Sequence, residues 1–262
     1  MRHRMSGETN LGPVVGEQNH VMKLLAHDLR WRLVEELVLT DRRVHELGER
    51  ANQAQNLVSY HLAKLRRAGV RRSSADARDV YYSLDLDGLR FALEQSIKVI
   101  HPGLKLAELQ ITRDTFAPNR PTRVLFLCTH NSARSQLAEA ILRHQASGMV
   151  DVASGGSDPR EVHPFVFRTL RELGVGGEGL RSKDLSIFAD ETFDYVITLC
   201  DIVREVSPTF PGEPEHLHWS LADPVAAARS PRAAEVAFGQ AADELTTRIH
   251  YLLPALIKRA EA

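Results

Sequence analysis

The stretch "VLFLCTHNSARSQ", Val124 to Gln136, carries an apolar run into a cysteine, crosses a short polar turn and enters a helical pattern. Outward from it, "RVLFLC", "SQLAEAILRHQA", "VDVASG", "PFVFRTLRELG" and "YVITLC" alternate apolar runs with helical periodicity. Such alternation predicts parallel strands joined by crossover helices, an α/β fold, and a ligand site beyond the carboxyl ends of the strands. Cys128 and Cys200 both stand at that end. Cys128 and Arg134 form a Cys-x5-Arg turn leading into a helix. Its backbone from Thr129 through His130, Asn131, Ser132, Ala133 and Arg134 to Ser135 suits a nest for a tetrahedral oxyanion. Arg134 adds a bidentate clamp, and the positive surroundings favour a thiolate at Cys128. A lone cysteine ending a strand is usually core. Asn131, Ser132, Arg134 and Ser135 at these spacings favour a nucleophile instead.

A chain of 262 residues with 43% hydrophobic and 26% charged content is expected to fold as two globular domains. No apolar run reaches the roughly 20 residues of a membrane span, and Met1 to Glu17 lacks the apolar core of a secretory signal. The expected location is cytoplasmic, with no membrane partner. Two cysteines make no disulfide framework, so their chemistry outweighs stapling. Pro102, Gly103, Pro118 and Pro121 interrupt the pattern and divide the chain. The expected division is a flexible 1–19, a mainly α domain over 20–98, a linker over 99–122, and the α/β domain over 123–262. In the first domain "VMKLLAHDLRWRLVEELVL", "VHELGERA" and "NQAQNLVSYHLAKLRRAG" read as helices, with Leu57, Val58, Leu62 and Leu65 as core positions. "VYYSLDL" reads as a strand, and Arg71 to Arg78 as a β-turn before it.

Residues 123 to about 255 resemble the low-molecular-weight protein tyrosine phosphatases, specifically their thioredoxin-coupled arsenate reductase branch. The resemblance is carried by "CTHNSARSQLAEA", "VITLCD" and "HWSLADP". It implies Cys128 as nucleophile, Arg134 as oxyanion ligand, Asp223 as general acid, Ser135 as hydrogen-bond donor to the thiolate, and Cys200 as the second thiol. It further implies that Cys128 attacks arsenate, that Cys200 then attacks Cys128, and that arsenite leaves behind a disulfide. Asp223-Pro224 is followed by Val225, Ala226 and Ala227, where phosphatases of this fold carry ring-holding aromatics, so a small inorganic substrate is favoured over a phosphotyrosine. The branch's third cysteine is replaced by Ser207. An external thiol system (thioredoxin, or mycothiol or glutathione with its redoxin) is then expected to resolve the disulfide. Asn131 and Glu139 match positions that bind potassium in some members. No tightly bound cofactor is implied.

Residues about 20 to 98 resemble the ArsR-type winged helix-turn-helix repressors, through "QNLVSYHLAKLRRAGVRRSSADARDVYYSL". The resemblance implies a homodimer formed through this domain on double-stranded operator DNA. Gln55, Asn56, Ser59, Tyr60 and His61 are candidates for base edges, and Lys64, Arg71, Arg72 and Arg78 for backbone phosphates. From His61 to Arg78 the only acidic residue is Asp76, a local positive balance that suits phosphate contacts. The domain has no cysteine, which excludes a thiolate metalloid site there. His45, His61, His216 and His218 read as structural. The leading expectation is an arsenic-responsive regulator fused to an arsenate reductase. The alternative is a regulator whose phosphatase-like domain hydrolyses phosphomonoesters or only senses an oxyanion.

Overall fold

The computed structural model describes residues 20–76, 79–100 and 120–259. Its N-terminal half is helical with a small sheet: α1 (His20–Leu25), α2 (Asp28–Glu35), β1 (Arg42–Arg43), α3 (Val44–Ala51), α4 (Gln55–Arg67), β2 (Arg71–Asp76), β3 (Asp79–Leu84) and α5 (Leu86–Ile100). The sheet runs β1-β3-β2 and is antiparallel throughout. Leu33, Leu47, Val58, Leu62 and Leu65 form its core at 0% exposure.

Three expectations change here. The first long helical pattern is broken at Ala26–His27, because His27 adopts an extended conformation that ends one helix and starts the next. Its ring then packs on His61, with centroids 4.5 Å apart. Arg71 to Asp76 is a strand, paired along its whole length with β3 from Arg71 opposite Leu84 to Asp76 opposite Asp79. Fully buried Tyr81 fixes β3 in place, and its ladder imposes an extended backbone on a segment whose Arg and Ser content reads as a turn. Leu57 is 40% exposed rather than core, since α4 turns Val58, Leu62 and Leu65 inward instead.

The C-terminal half comprises β4 (Thr122–Cys128), α6 (Arg134–Ala146), β5 (Val150–Gly156), α7 (Pro164–Glu172), a 3-10 turn (Leu185–Phe188), β6 (Tyr195–Thr198), α8 (Asp201–Val206), β7 (Glu215–His218), α9 (Pro224–Ala227) and α10 (Pro231–Arg259). The sheet order is β5-β4-β6-β7, all parallel, as the alternating pattern predicts. The central strand β4 is nearly all buried, which suits a sheet covered on both faces. Thr122, placed in the linker from sequence, already pairs with Val150. Of the expected linker, 101–119 lies outside the described residues, and α5 extends through Ile100. No helix among the described residues is long and apolar enough to cross a membrane.

The halves are joined by polar contacts. The Asp41 amide donates to His218 O (2.7 Å), and the Trp219 indole donates to Leu39 O (2.9 Å). Asp41, 3% exposed, accepts two hydrogen bonds from Arg248 (2.8 and 3.0 Å) and one from the Ser220 amide (2.8 Å). Burial opposes the charge on Arg248, but Asp41 and Glu244 more than offset it and push its pKa up.

Candidate active site

The register of the parallel sheet brings the site together. Cys128 ends β4 opposite Gly156 of β5, and Leu127 pairs with Thr198 of β6, so Cys200 follows two residues beyond the same edge. The loop from Thr129 to Ala133 then turns the chain into α6. Its carbonyls are tied outward: Thr129 O accepts from the Asp158 amide (2.8 Å), His130 O from Arg160 (2.9 Å) and Ser132 O from His163 (2.9 Å). In a planar trans peptide the N–H points opposite to the C=O. The amides of His130, Asn131 and Ala133 are therefore turned to the inner side, where the start of α6 adds its positive end. Gly156 makes this path available, because a Cβ there would lie 2.7 Å from the Asn131 nitrogen and 2.8 Å from Thr129 O.

Asn131 is the keystone of the loop. It sits in the left-handed region (φ 44°) and is fully buried. Its Oδ1 accepts from the Lys183 amide (2.7 Å) and from Gln136 Nε2 (2.9 Å), which orients the side-chain amide. Its Nδ2 then donates to Ser135 Oγ and to Ser154 Oγ, both at 2.8 Å. Ser135, having accepted from Asn131, has its hydroxyl proton for Cys128 Sγ at 2.9 Å. The polarity of this chain suits a sulfur that carries negative charge. The signal in the sequence for Gly156, Gln136, Ser154 and Lys183 is weak, since each lies in an ordinary helix, strand or loop pattern and joins the site only through the fold.

Arg134, 5% exposed, opens α6 and reaches across to the acid loop. Its guanidinium donates to Leu221 O (2.9 Å) and to Asp223 Oδ2 (3.2 Å). Asp223 also caps α9 by accepting the Val225 amide at Oδ1 (2.9 Å). The nucleophile, oxyanion ligand and acid expected from sequence thus lie in one connected set. Beside Asp223 opens a groove of about 460 Å3, with Ala222, Ala227 and Ala237 in its wall and no aromatic residue lining it. Thr129, His130 and Ser132 are half-buried and Ala133 is buried; the His130 ring turns away to Asp158 O (3.0 Å).

Cys200, 1% exposed, is the N-cap of α8, and its sulfur lies 3.2 Å from Thr129 Oγ1 at the edge of the oxyanion loop. Burial pushes this thiol's pKa up, with the nearby Arg134 charge opposing. Neither cysteine is in a disulfide. Ser207 follows the other end of α8, its buried hydroxyl without a hydrogen-bond partner. Glu139 and Asn131 do converge as their spacing suggests, but Lys183 Nζ is on Glu139 Oε2 (3.0 Å) and Arg143 is on Oε1. A side-chain ammonium thus supplies the positive charge that the sequence reading assigned to potassium. No group of three metal-ligating side chains occurs among the described residues. His218 is buried between Thr198 and Asp201, and His216, nearer the start of β7, is exposed.

Of the residues assigned to DNA, Gln55, Asn56, Ser59 and Tyr60 are exposed on α4. His61 is buried at 5%, facing His27, and so is withdrawn from that set. Lys64 is half-buried, its ammonium 4.4 Å above the Tyr60 ring. The backbones of Arg71 and Arg72 lie in β2, and Arg78 lies outside the described residues.

The half of the chain that carries this geometry is similar to known proteins. The family model described as low molecular weight phosphotyrosine protein phosphatase matches residues 123–261. An arsenate reductase of Shouchella clausii is 30% identical over 126 residues, 48% of this chain and 91% of its own length. A glutaredoxin arsenate reductase of Synechocystis is 31% identical over 102 residues, 39% of this chain and 78% of its own. A solved thioredoxin-dependent arsenate reductase of Corynebacterium glutamicum is 24% identical, with 87% of this chain and 96% of that chain covered, at a TM-score of 0.42. With its cysteine loop, arginine and acid on the edge of a four-stranded parallel sheet, and with the match spanning more than half of its length, the chain belongs to the low molecular weight phosphotyrosine protein phosphatase family.

Proposed function

We propose that the C-terminal half is an arsenate reductase. The observation that carries the reading is the second thiol: Cys200 Sγ rests on Thr129, one residue from Cys128, in a site otherwise equipped for an oxyanion. Cys128 attacks the arsenic atom of arsenate held by the loop amides and Arg134, and Asp223 protonates the departing oxygen. The Cys200 thiolate then attacks Cys128 Sγ. The electrons of the sulfur–arsenic bond pass to arsenic, arsenite leaves, and a Cys128–Cys200 disulfide carries away the two-electron oxidation. Ser207 holds no sulfur to take the disulfide onward, so an external thiol reductant restores the pair. The relatives named as arsenate reductases, and Val225, Ala226 and Ala227 in place of aromatics after Asp223-Pro224, support the inorganic substrate.

The test is arsenite formation by the pure protein with thioredoxin, glutathione with glutaredoxin, or mycothiol with mycoredoxin. Turnover with one system supports the reading and identifies the reductant. Oxyanion binding without turnover under all three moves the assignment to phosphomonoester hydrolysis. Because burial raises the pKa of Cys200, the fraction of reactive thiolate keeps growing as pH rises past the ordinary thiol range of about 8.5. Arsenate-driven disulfide formation is therefore expected to accelerate through and beyond that range. Stopped-flow loss of free thiols between neutral and alkaline pH checks it, and a flat profile would contradict it.

We further propose that the chain divides at 99–122 into this unit and an ArsR-type winged helix-turn-helix that binds operator DNA as a homodimer. The α3–α4 pair followed by the β2–β3 hairpin supports the assignment, as does the exposed row Gln55, Asn56, Ser59 and Tyr60 on α4. Exposed Met22 on α1 and Phe91 and Ile100 on α5 offer an apolar face for a second copy. Tyr60→Ala is expected to weaken binding to the chain's own upstream DNA by about 1–3 kcal/mol, or roughly five- to 150-fold, while leaving non-specific DNA binding near its original level. Gel-shift titrations at fixed salt measure both.

A further inference from the structure

Helix α8 has only six residues, too few to hold an orientation by its own hydrogen bonds, so its contacts decide where its N-cap, Cys200, stands. Val203 is in the core, and Asp201 Oδ1 pairs with His218 Nε2 (3.2 Å). Another set of contacts leaves the catalytic half altogether, and includes Glu205 with Arg43 (3.6 Å). Arg204 Nη1 donates to Tyr81 Oη (2.9 Å) and Nη2 to Glu46 Oε1 (2.5 Å), residues of β3 and α3. Both acceptors are themselves fixed. Glu46 Oε2 accepts the Arg43 amide (2.7 Å) in a capping arrangement, Arg43 Nε donates to Tyr81 Oη (2.7 Å), and the Tyr81 ring packs on His218 with centroids 4.6 Å apart.

We propose that Glu46 and Tyr81 are positioning residues for the second thiol: through Arg204 they hold α8 so that Cys200 rests at the lip of the oxyanion loop, within reach of Cys128. This rests on the two-thiol reading above and adds that the N-terminal half completes the reductive part of the site while taking no part in oxyanion chemistry. The reason is effective concentration. An intramolecular attack gains from a thiol held in a near-attack position, and a six-residue helix released at one side spreads that thiol over many positions. The step balances as two thiols losing two protons and two electrons to a disulfide. Arsenate accepts the electrons in turnover, and oxidised dithiothreitol accepts them in a chemical assay.

The test compares full-length wild type, Glu46→Gln and Tyr81→Phe, with thermal unfolding to confirm folding. The first variant removes the negative charge that faces Arg204, and the second removes one hydroxyl while keeping the buried ring. Three quantities are read: 4-nitrophenyl phosphate hydrolysis, the disulfide equilibrium against dithiothreitol, and the rate of disulfide formation on adding arsenate. Hydrolysis, which uses Cys128, Arg134 and Asp223, is expected to stay within about twofold. The disulfide equilibrium constant is expected to fall about tenfold, a potential about 30 mV less negative, with a comparable fall in the arsenate-driven rate. Unchanged constant and rate in both folded variants overturn the proposal, as does a parallel loss of hydrolysis, which would mark a general structural role. A wild-type disulfide formed with dithiothreitol but not with arsenate overturns the arsenate reading alone, and the variants' constants still decide the positioning. Failure to form the disulfide with either oxidant overturns both.

Discussion

Replacing Cys200 by serine is expected to abolish multiple-turnover arsenate reduction while phosphomonoester hydrolysis continues. The substitution changes one atom and keeps a partner for Thr129 Oγ1, which now lies 3.2 Å from the sulfur, so the local fold has no reason to change. The chemistry changes completely. Reduction of arsenic by two electrons requires a second sulfur to attack Cys128, and a serine hydroxyl cannot close that bond. Ester hydrolysis needs only the nucleophile, Arg134 and Asp223, with water completing the second step. The expected loss is at least about a thousandfold in arsenite formation, the scale on which removal of a group acting directly in the reaction is felt. Hydrolysis should remain within a few fold. Parallel assays of arsenite and 4-nitrophenol measure the split. If the variant reduces arsenate at the wild-type rate with the same reductant, the second sulfur comes from outside the chain.

Asp41→Ala should be the most destabilising single change at the junction of the halves. The pair it breaks is almost dry: the Asp41 side chain is 3% exposed and that of Arg248 is 11% exposed. Alanine removes the carboxylate that holds both guanidinium nitrogens and the Ser220 amide, leaving a buried cation with Glu244 as its remaining acidic partner. Breaking such a pair from one side costs about 3–5 kcal/mol, a large share of the roughly 5–15 kcal/mol that holds a typical domain. Urea unfolding should show the midpoint falling accordingly, with probes of both halves moving together. A paired replacement, Asp41→Leu with Arg248→Met, should recover most of the loss, since an apolar pair of similar volume removes both desolvated charges at once. A change under about 1 kcal/mol in the single variant would place the pair among solvated surface bridges.

What was legible in the sequence followed from how locally each feature is encoded. Cys128, Asn131, Arg134 and Ser135 lie within eight residues of one another, and the strand-turn-helix pattern around them predicts both the fold and the oxyanion loop. The parallel sheet followed from alternating periodicities in the same way. Asp223 was found through its resemblance to a family pattern, because an Asp-Pro pair alone marks only a turn. The junction was not legible at all: Asp41 meets Arg248 and Glu46 meets Arg204 across 207 and 158 positions of chain, where no local spacing signals a partner. His61 and Leu57 exchanged roles for a smaller reason. On a helix with polar residues at most positions, a modest rotation about the axis decides which side chain faces the core, and only the packing of His27 on His61 settles it. Arg71 to Asp76 was missed because pairing with β3, rather than its own composition, makes it a strand.

The Lys183 ammonium seated on Glu139 ties the oxyanion loop to the polypeptide rather than to the medium. A loop braced by a captured ion keeps its shape only while the surrounding fluid supplies that ion, and its activity follows the osmotic fortunes of the cell. Here the brace is translated with the rest of the chain. Through Glu139, Ser154 and Asn131 it reaches Ser135 and the Cys128 sulfur along an unbroken chain of side-chain hydrogen bonds. The nucleophile's surroundings are in this way buffered against swings in the ionic climate, a form of homeostasis written into one side chain.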